Sequence, residues 1–186
     1  MCEIYAGKEF YMIYIVVAVV LLIIIWAIAT VNGFKRKEIK VQESLSGIEV
    51  ALTKRYDMLT KLLDTSKGYM KHEKETLEGV IKLRKGMSVS EMNEATKQMD
   101  NIASQIQFTA EAYPELRSSE IFQELQRGIR DAEEHLQAAR RLYNANVTSY
   151  NTSIVMFPAS ILAGGRKPLE FFEADEYKKA DVKMEF

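Results

Sequence analysis

The chain has 186 residues, of which 25 are basic and 26 acidic, giving a formal net charge of −1 at neutral pH. This balance argues against a general nucleic-acid binder, which needs an excess of Lys and Arg on one face to displace phosphate counterions. The single cysteine, Cys2, excludes an intrachain disulfide and a thiolate cluster for zinc.

An uncharged segment near the N-terminus predicts a membrane-spanning helix. Residues 10 to 31, FYMIYIVVAVVLLIIIWAIATV, carry no charge. As a helix they cover roughly 33 Å at about 1.5 Å per residue, enough for a hydrocarbon core of about 30 Å. Trp26 and Phe34 fit the inner aromatic belt. A cleaved signal peptide is the main alternative, because residues 27 to 29, Ala-Ile-Ala, have the pattern of a cleavage site. We favour a permanent anchor, since the apolar run exceeds a usual signal-peptide core.

Basic residues directly after the span predict its orientation. Four cations lie within ten residues of its C-terminal end, against one on the other side. The positive-inside rule therefore predicts that residues 1 to 9 lie outside the cell and that the C-terminal domain is cytoplasmic. The four cations, each worth about 1 kcal/mol near an anionic leaflet, are also candidate contacts for lipid headgroups. They are Lys35, Arg36, Lys37 and Lys40. The alternative is that they set the topology alone.

Residues 32 to 157 predict an all-α domain with long, coiled-coil-like helices. Apolar residues recur at steps of three and four, and Pro114 is the only proline between residues 33 and 157. Arg55 and Ser66 occupy the two polar places of the first stripe. Its other members are Val41, Leu45, Ile48, Leu52, Leu59, Leu62 and Tyr69. If Asn32-Gly33 does not break the helix, span and stalk form one rod to about residue 68; a hinge at Gly33 is the alternative.

Two further long helices are predicted after this stalk. Residues 88 to 91, Ser-Val-Ser-Glu, have the form of a capping box, and Pro114 ends the helix that they begin. Its stripe comprises Met92, Ala95, Met99, Ile102, Ile106, Thr109 and Tyr113. Ser118 or Ser119 can cap the final helix, whose stripe comprises Phe122, Leu125, Ile129, Ala132, Leu136, Ala139, Tyr143, Tyr150 and Phe157. An elongated antiparallel bundle lets this helix pack along the first.

Residues 158 to 186 change from an apolar turn to an acidic tail. Four of their apolar side chains need cover: Ile161, Leu162, Phe171 and Phe172. One interpretation is that they fold back over the end of the bundle. The other is that they form an interface with lipid or another subunit, because exposed apolar patches usually mark interaction sites.

Four segments carry a family resemblance. They are KRYDMLTKLLDTSKGYMKHEKETLE (54 to 78), AYPELRSSEIFQELQ (112 to 126), RRLYNANVTSYNTSIVMFPASILAG (140 to 164) and FFEA (171 to 174). In this order, after one N-terminal span, they resemble the LemA family. The resemblance implies a bacterial membrane protein with a cytoplasmic antiparallel helical domain, and it implies no catalytic residues. Relatives often have a Pro-Asn pair where this chain has Thr60-Lys61, so its first helix should run unbroken there.

The two histidines are the main candidates for chemistry, and both lack the partners that chemistry needs. His72-Glu73 begins like a zinc-protease motif, but Thr76 stands where the second His is required. A kinase would need a glycine-rich phosphate loop, which the sequence lacks. His135 lacks a Glu three residues before it, as carboxylate di-iron helices require, because position 132 is Ala. We therefore predict no catalytic, cofactor-binding or metal-ligating residue, no small-molecule substrate and no enzyme activity.

The sequence thus predicts a non-enzymatic scaffold in the bacterial cytoplasmic membrane, which acts by self-association or by binding other membrane proteins. Long amphipathic helices on parallel anchors concentrate partners in two dimensions and favour lateral contacts. The alternative is a signalling adaptor that transmits a change along a continuous helix. Because only residues 1 to 9 precede the span, the cue for such an adaptor must come from the bilayer or from a partner. A hydrolase or kinase is a third, weaker hypothesis.

Overall fold

A computed structural model describes residues 2 to 66 and 86 to 172, with side chains from Tyr11 onward. Every regular element in these ranges is helical, which confirms the predicted all-α fold. The elements are α1 (Cys2–Ser66), α2 (Val89–Ala112), α3 (Pro114–Ser118), α4 (Glu120–Val155) and a 3₁₀ turn (Ala159–Leu162). They form two compact units, one of residues 1 to 41 with 148 to 169, the other of residues 42 to 147 with 170 to 186.

Helix α1 is continuous through both places where a break was considered. It passes through Gly33 and through Thr60-Lys61 before its last residue, Ser66. Its predicted stripe is buried over the described residues, including the two polar places, except at Leu45, which is half-buried while its neighbour Ser44 is buried. Arg55 and Ser66 are both buried, and the Ser66 hydroxyl donates to the Leu62 carbonyl at 2.8 Å. This local hydrogen bond lets a polar residue occupy a core place in a helix. Tyr69, the last predicted member, lies outside the described residues.

The predicted capping box opens α2. The Ser88 hydroxyl accepts from the Glu91 backbone N–H at 3.2 Å, and the Ser88 N–H donates to the Glu91 carboxylate at 2.8 Å. The predicted stripe is buried as far as Ile106, but Ala110 is buried in the last turn, where Thr109 was predicted. A straight helix has 3.6 residues per turn, so its buried face drifts away from a strict 3.5 repeat. Pro114 ends α2, as predicted, and begins the short α3.

Helix α4 packs antiparallel to α1, as predicted. In the unit of residues 42 to 147, Arg55 Nε lies 3.2 Å from Glu133 Oε2. Three residues further along α1, Met58 Sδ lies 3.2 Å from where a side chain on Gly128 would begin. The partner number therefore falls as the α1 number rises. The prediction for Phe157 is wrong: it is 81% exposed because α4 ends at Val155. The buried stripe instead continues through Val147, Tyr150 and Ile154.

In the unit of residues 1 to 41 and 148 to 169, a few side chains are buried next to the end of the predicted span. Phe34 is buried there, and the Arg166 guanidinium carbon lies 5.1 Å from the centre of its ring. The prediction that Phe34 belongs to the lipid-facing aromatic belt is therefore wrong, since its ring packs inside the protein against a cation. Gly164 and Gly165 have φ of 58° and 74°, which glycine adopts without strain, and they turn the chain towards Arg166.

Candidate functional site

The apolar part of α1 is the first candidate site. This helix is long and apolar enough to cross a membrane, and none of the residues in its most apolar window is buried inside the protein. Large apolar side chains from Tyr11 to Ile28 project outwards. A core helix of a water-soluble protein would bury such side chains, so their exposure is consistent with a membrane anchor.

The predicted headgroup contacts are spread over about 200° of the circumference of α1, at about 100° per residue. Lys35 Nζ pairs with Glu38 Oε2 at 3.0 Å. Lys37 Nζ donates to the Ser149 carbonyl of α4 at 3.1 Å. Arg36 and Lys40 are exposed and lie about 40° apart around the helix, since each residue turns it by about 100°. Three of the four predicted cations are thus exposed, Lys35, Arg36 and Lys40, whereas Lys37 is directed towards α4.

A second site is a buried arginine that joins three helices of the unit of residues 42 to 147. Arg55 of α1 is 4% exposed. Its Nη2 donates to Asp100 Oδ1 of α2, and its Nε lies 3.2 Å from Glu133 Oε2 of α4, without the alignment of a hydrogen bond. Two partly exposed carboxylates thus balance one buried guanidinium, as a buried charge requires. The sequence pattern placed Arg55 in the stripe but did not indicate either acidic partner.

Two asparagines on α4 hold the backbone of the segment after the turn. Asn144 Nδ2 donates to the Phe172 carbonyl at 3.0 Å, and its Oδ1 accepts from the Phe172 N–H at 2.8 Å. Asn151 makes the same pair with Leu169, at 2.9 and 2.8 Å. Each amide replaces the hydrogen bonds that an extended segment lacks outside a sheet. Neither asparagine was singled out in this role, because side chains that bind backbone leave no periodic signal.

The four apolar residues of the tail have different environments. Phe172 is 2% exposed. Its ring meets the Tyr143 ring edge-on at 6.5 Å, and the Arg140 guanidinium carbon lies 4.9 Å from its centre. Ile161, by contrast, is 70% exposed, Phe171 is half exposed and Leu162 is partly buried. Folding back, the first interpretation, thus describes Phe172, whereas Ile161 and Phe171 are left on the surface.

The histidines do not assemble a reactive site in the described residues. His135 is exposed and lines an open polar groove with side chains of both charges, including Lys54, Asp131 and Arg141. Across residues 11 to 66 and 86 to 172, no three His, Cys, Asp or Glu side chains are close enough together to hold a metal ion. His72 lies outside the described residues.

Comparisons with known proteins cover the helical domain. The model of the LemA family matches residues 44 to 186. The chain is also similar to Protein LemA of Metamycoplasma hominis, with 28% identity over 158 residues, which covers 81% of this chain and 72% of that protein.

Proposed function

The chain belongs to the LemA family, and from this premise we propose that it is a membrane-anchored, non-enzymatic helical scaffold of the bacterial cytoplasmic membrane. The observation that carries this proposal is the apolar first half of α1, none of whose most apolar window is buried in the protein. A surface of this size is stable only in lipid or against another protein. The bilayer is therefore the first partner that we propose.

We further propose that the N-terminus lies outside and the helical domain in the cytoplasm. The support is the group of cations after the span, of which Lys35, Arg36 and Lys40 are exposed. Cys2 is the only cysteine, so an impermeant maleimide reports directly on the side that it occupies. We expect Cys2 to react in intact cells. A Cys2→Ser variant with Ala138→Cys, an exposed position on α4, should react only after lysis. The reverse pattern would contradict this topology.

The scaffold acts, in this proposal, by lateral association with copies of itself or with other membrane proteins. Anchoring confines the helical domains to two dimensions, which raises their effective concentration. Exposed apolar side chains on its helices supply contact points, among them Val50, Phe108 and Leu142. Cross-linking the full chain in native membranes tests this. We expect adducts at every expression level, whereas a protein that stays monomeric and captures no neighbour would contradict assembly.

One observation favours a signalling adaptor as the second candidate function. Helix α1 continues without a break through Gly33 to Ser66, so it offers a stiff connection for a change that begins in the bilayer. Inserting three glycines after Gly33 should uncouple the two parts, while three alanines keep the helix. The readout is the cross-linking pattern of Ala138→Cys in the Cys2→Ser background in membranes. Identical patterns for both insertions would contradict transmission along α1.

The absence of enzyme activity also remains a proposal. The support is that His135 is exposed on an open groove among side chains of both charges and is not enclosed in a site. Replacing His72 and His135 by Gln together keeps size and polarity but removes both imidazoles. We expect unchanged cross-linking and an unchanged cellular phenotype. A loss of phenotype with normal folding would support the hydrolase or kinase hypothesis instead.

A further inference from the structure

Among the described residues outside the span, the turn at the end of α4 carries several large apolar side chains that are exposed close together in sequence. We define the apolar turn as residues 155 to 161. Phe157 is 81% and Ile161 70% exposed, and Val155 and Met156, which precede Phe157, are also more than half exposed. Consecutive exposed side chains of this size are unusual on a water-soluble surface and mark a contact site. The occupant of that site follows from where the turn lies.

The apolar turn belongs to the same compact unit as the first part of α1. Before the turn, Ser149 accepts a hydrogen bond from Lys37. After the turn, Leu169 pairs with Asn151, while Arg166, three residues nearer the turn, stacks on Phe34. Moving from Ser149 towards the turn therefore moves the neighbouring α1 residue from 37 to 34, which is towards the predicted span.

The depth of the turn follows from helix geometry. From Ser149 to Val155, α4 advances by about 9 Å at about 1.5 Å per residue. The same distance along α1, counted from Lys37 towards the N-terminus, reaches Val31, the last residue of the uncharged segment. The apolar turn thus lies level with the end of the span, where an inserted helix meets the boundary between acyl chains and headgroups.

The charges around the turn also fit the boundary between acyl chains and headgroups. No charged residue occurs from Thr152 to Gly165, and the next two charges, Arg166 and Lys167, are positive. On α1, the first charge after the span is Lys35. An apolar segment with an aromatic residue, bordered by cations, is the composition of elements that lie in the membrane interface and attract anionic headgroups.

We propose that the apolar turn inserts into the interfacial region of the lipid leaflet beside α1, so that the protein holds the membrane at two places. This inference rests on the proposed membrane anchoring. Lipid is the occupant because the surface beside an inserted helix at this depth is lipid, and because the flanking charges complement anionic headgroups. Two attachments would restrict the tilt of α1 and hold this unit against the bilayer.

Tryptophan fluorescence in the full chain tests the proposal, because Trp26 is the only tryptophan. The variant is Trp26→Phe with Phe157→Trp, reconstituted in phosphatidylcholine and phosphatidylglycerol vesicles that carry lipids brominated at shallow or deep acyl positions. We expect shallow bromines to lower its emission by about twofold or more, and deep bromines to lower it less, because interfacial groups sit roughly 5–10 Å into the headgroup and acyl boundary. A second variant, Ile161→Trp in the same background, should behave alike.

A matched control uses the same unit. Ile39 is exposed on α1, about 12 Å beyond Val31, so Ile39→Trp with Trp26→Phe should lose little emission. Wild-type Trp26 reports on the anchor itself. If Trp26 is quenched but the tryptophans at positions 157 and 161 are not, the turn does not enter lipid, although the anchor stands. If Trp26 is not quenched either, the proposed anchoring fails and this inference fails with it. An emission shift at position 157 that appears only at high protein-to-lipid ratio, without bromine quenching, would assign the turn to a second copy and overturn the proposal.

Discussion

Asn144 binds the backbone of Phe172 through both ends of its side-chain amide, with one hydrogen bond of 3.0 Å and one of 2.8 Å. This pair fixes the one tail aromatic that is fully buried in the described residues. Phe172 then packs between the Tyr143 ring and the Arg140 guanidinium. The amide thus binds the backbone of the same residue whose ring is buried.

Removing this amide should release the tail from α4. We expect Asn144→Leu, which is close in size but makes no hydrogen bond, to lower the free energy of unfolding by about 1–2 kcal/mol, since two hydrogen bonds are lost. Hydrogen exchange of the full chain in detergent, followed over residues 166 to 172, measures the release as faster exchange. Asn101→Leu, at an exposed position on α2, is the control. Unchanged exchange in Asn144→Leu would show that the ring alone holds the tail.

The buried arginine makes a second prediction. Replacing Arg55 by Met keeps much of the apolar stem but leaves Glu133, which is 28% exposed, without its counter-charge. We expect a loss of about 1–3 kcal/mol in the free energy of unfolding. Urea unfolding in mild detergent, followed by circular dichroism, measures this loss. Lys54→Met, at the exposed neighbouring position, should cost much less.

A double variant separates charge from packing at this site. If the cost of Arg55→Met comes from leaving the Glu133 charge without a partner, Glu133→Gln should remove part of that cost. The double variant should then lose less free energy of unfolding than the sum of the two single variants. Strict additivity would mean that the 3.2 Å contact between Arg55 and Glu133 contributes no coupling energy.

Much of this fold could be predicted from the sequence, because helical spacing identifies buried positions even where the residue is polar. Arg55 and Ser66 fell on the buried stripe by spacing alone, and both are buried. The acidic partners of Arg55 could not be predicted, since they depend on how three helices align in space. The fate of Phe157 depended on where α4 ends, two residues earlier than the stripe required. The role of Asn144 could not be predicted, because a side chain that hydrogen-bonds to the backbone is not part of a hydrophobic pattern.

The burial of Tyr143 leads to a prediction about how stability depends on pH. Burial, with a smaller effect from the charge of Glu170, raises the pKa of this phenol above its usual 10.0. Its hydroxyl donates to the Glu170 carbonyl at 3.0 Å. Because the folded state favours the neutral phenol, its contribution to stability is complete below pH 10.0 and is lost as the pH rises towards the raised pKa.

We therefore expect Tyr143→Phe to lower the free energy of unfolding by about 1 kcal/mol at neutral pH, through the lost hydrogen bond. The difference from wild type should shrink above about pH 10. Urea unfolding of both proteins across this range measures the change, and the comparison cancels the effect of the other tyrosines. A difference that stays constant above pH 10 would contradict the raised pKa.

Two helical glycines provide the last prediction, which tests how closely α1 and α4 approach. A methyl group added at Gly47 meets nothing within 4 Å, whereas one added at Gly128 lies 3.2 Å from Met58 Sδ. Gly47→Ala should therefore raise the free energy of unfolding by about 0.5–1 kcal/mol, the usual gain in a helix. Gly128→Ala should gain a few tenths of a kcal/mol less, because Met58 must shift to make room.

The two alanine variants are compared by urea unfolding of the full chain in mild detergent, and the comparison is then repeated in a Met58→Ala background. Shortening Met58 removes the crowding atom, so Gly128→Ala should there gain as much as Gly47→Ala does in the wild type. Equal gains in the wild-type background would mean that Met58 moves aside at no cost. In that event the 3.2 Å between Met58 Sδ and a methyl group placed at Gly128 would not limit an alanine at position 128.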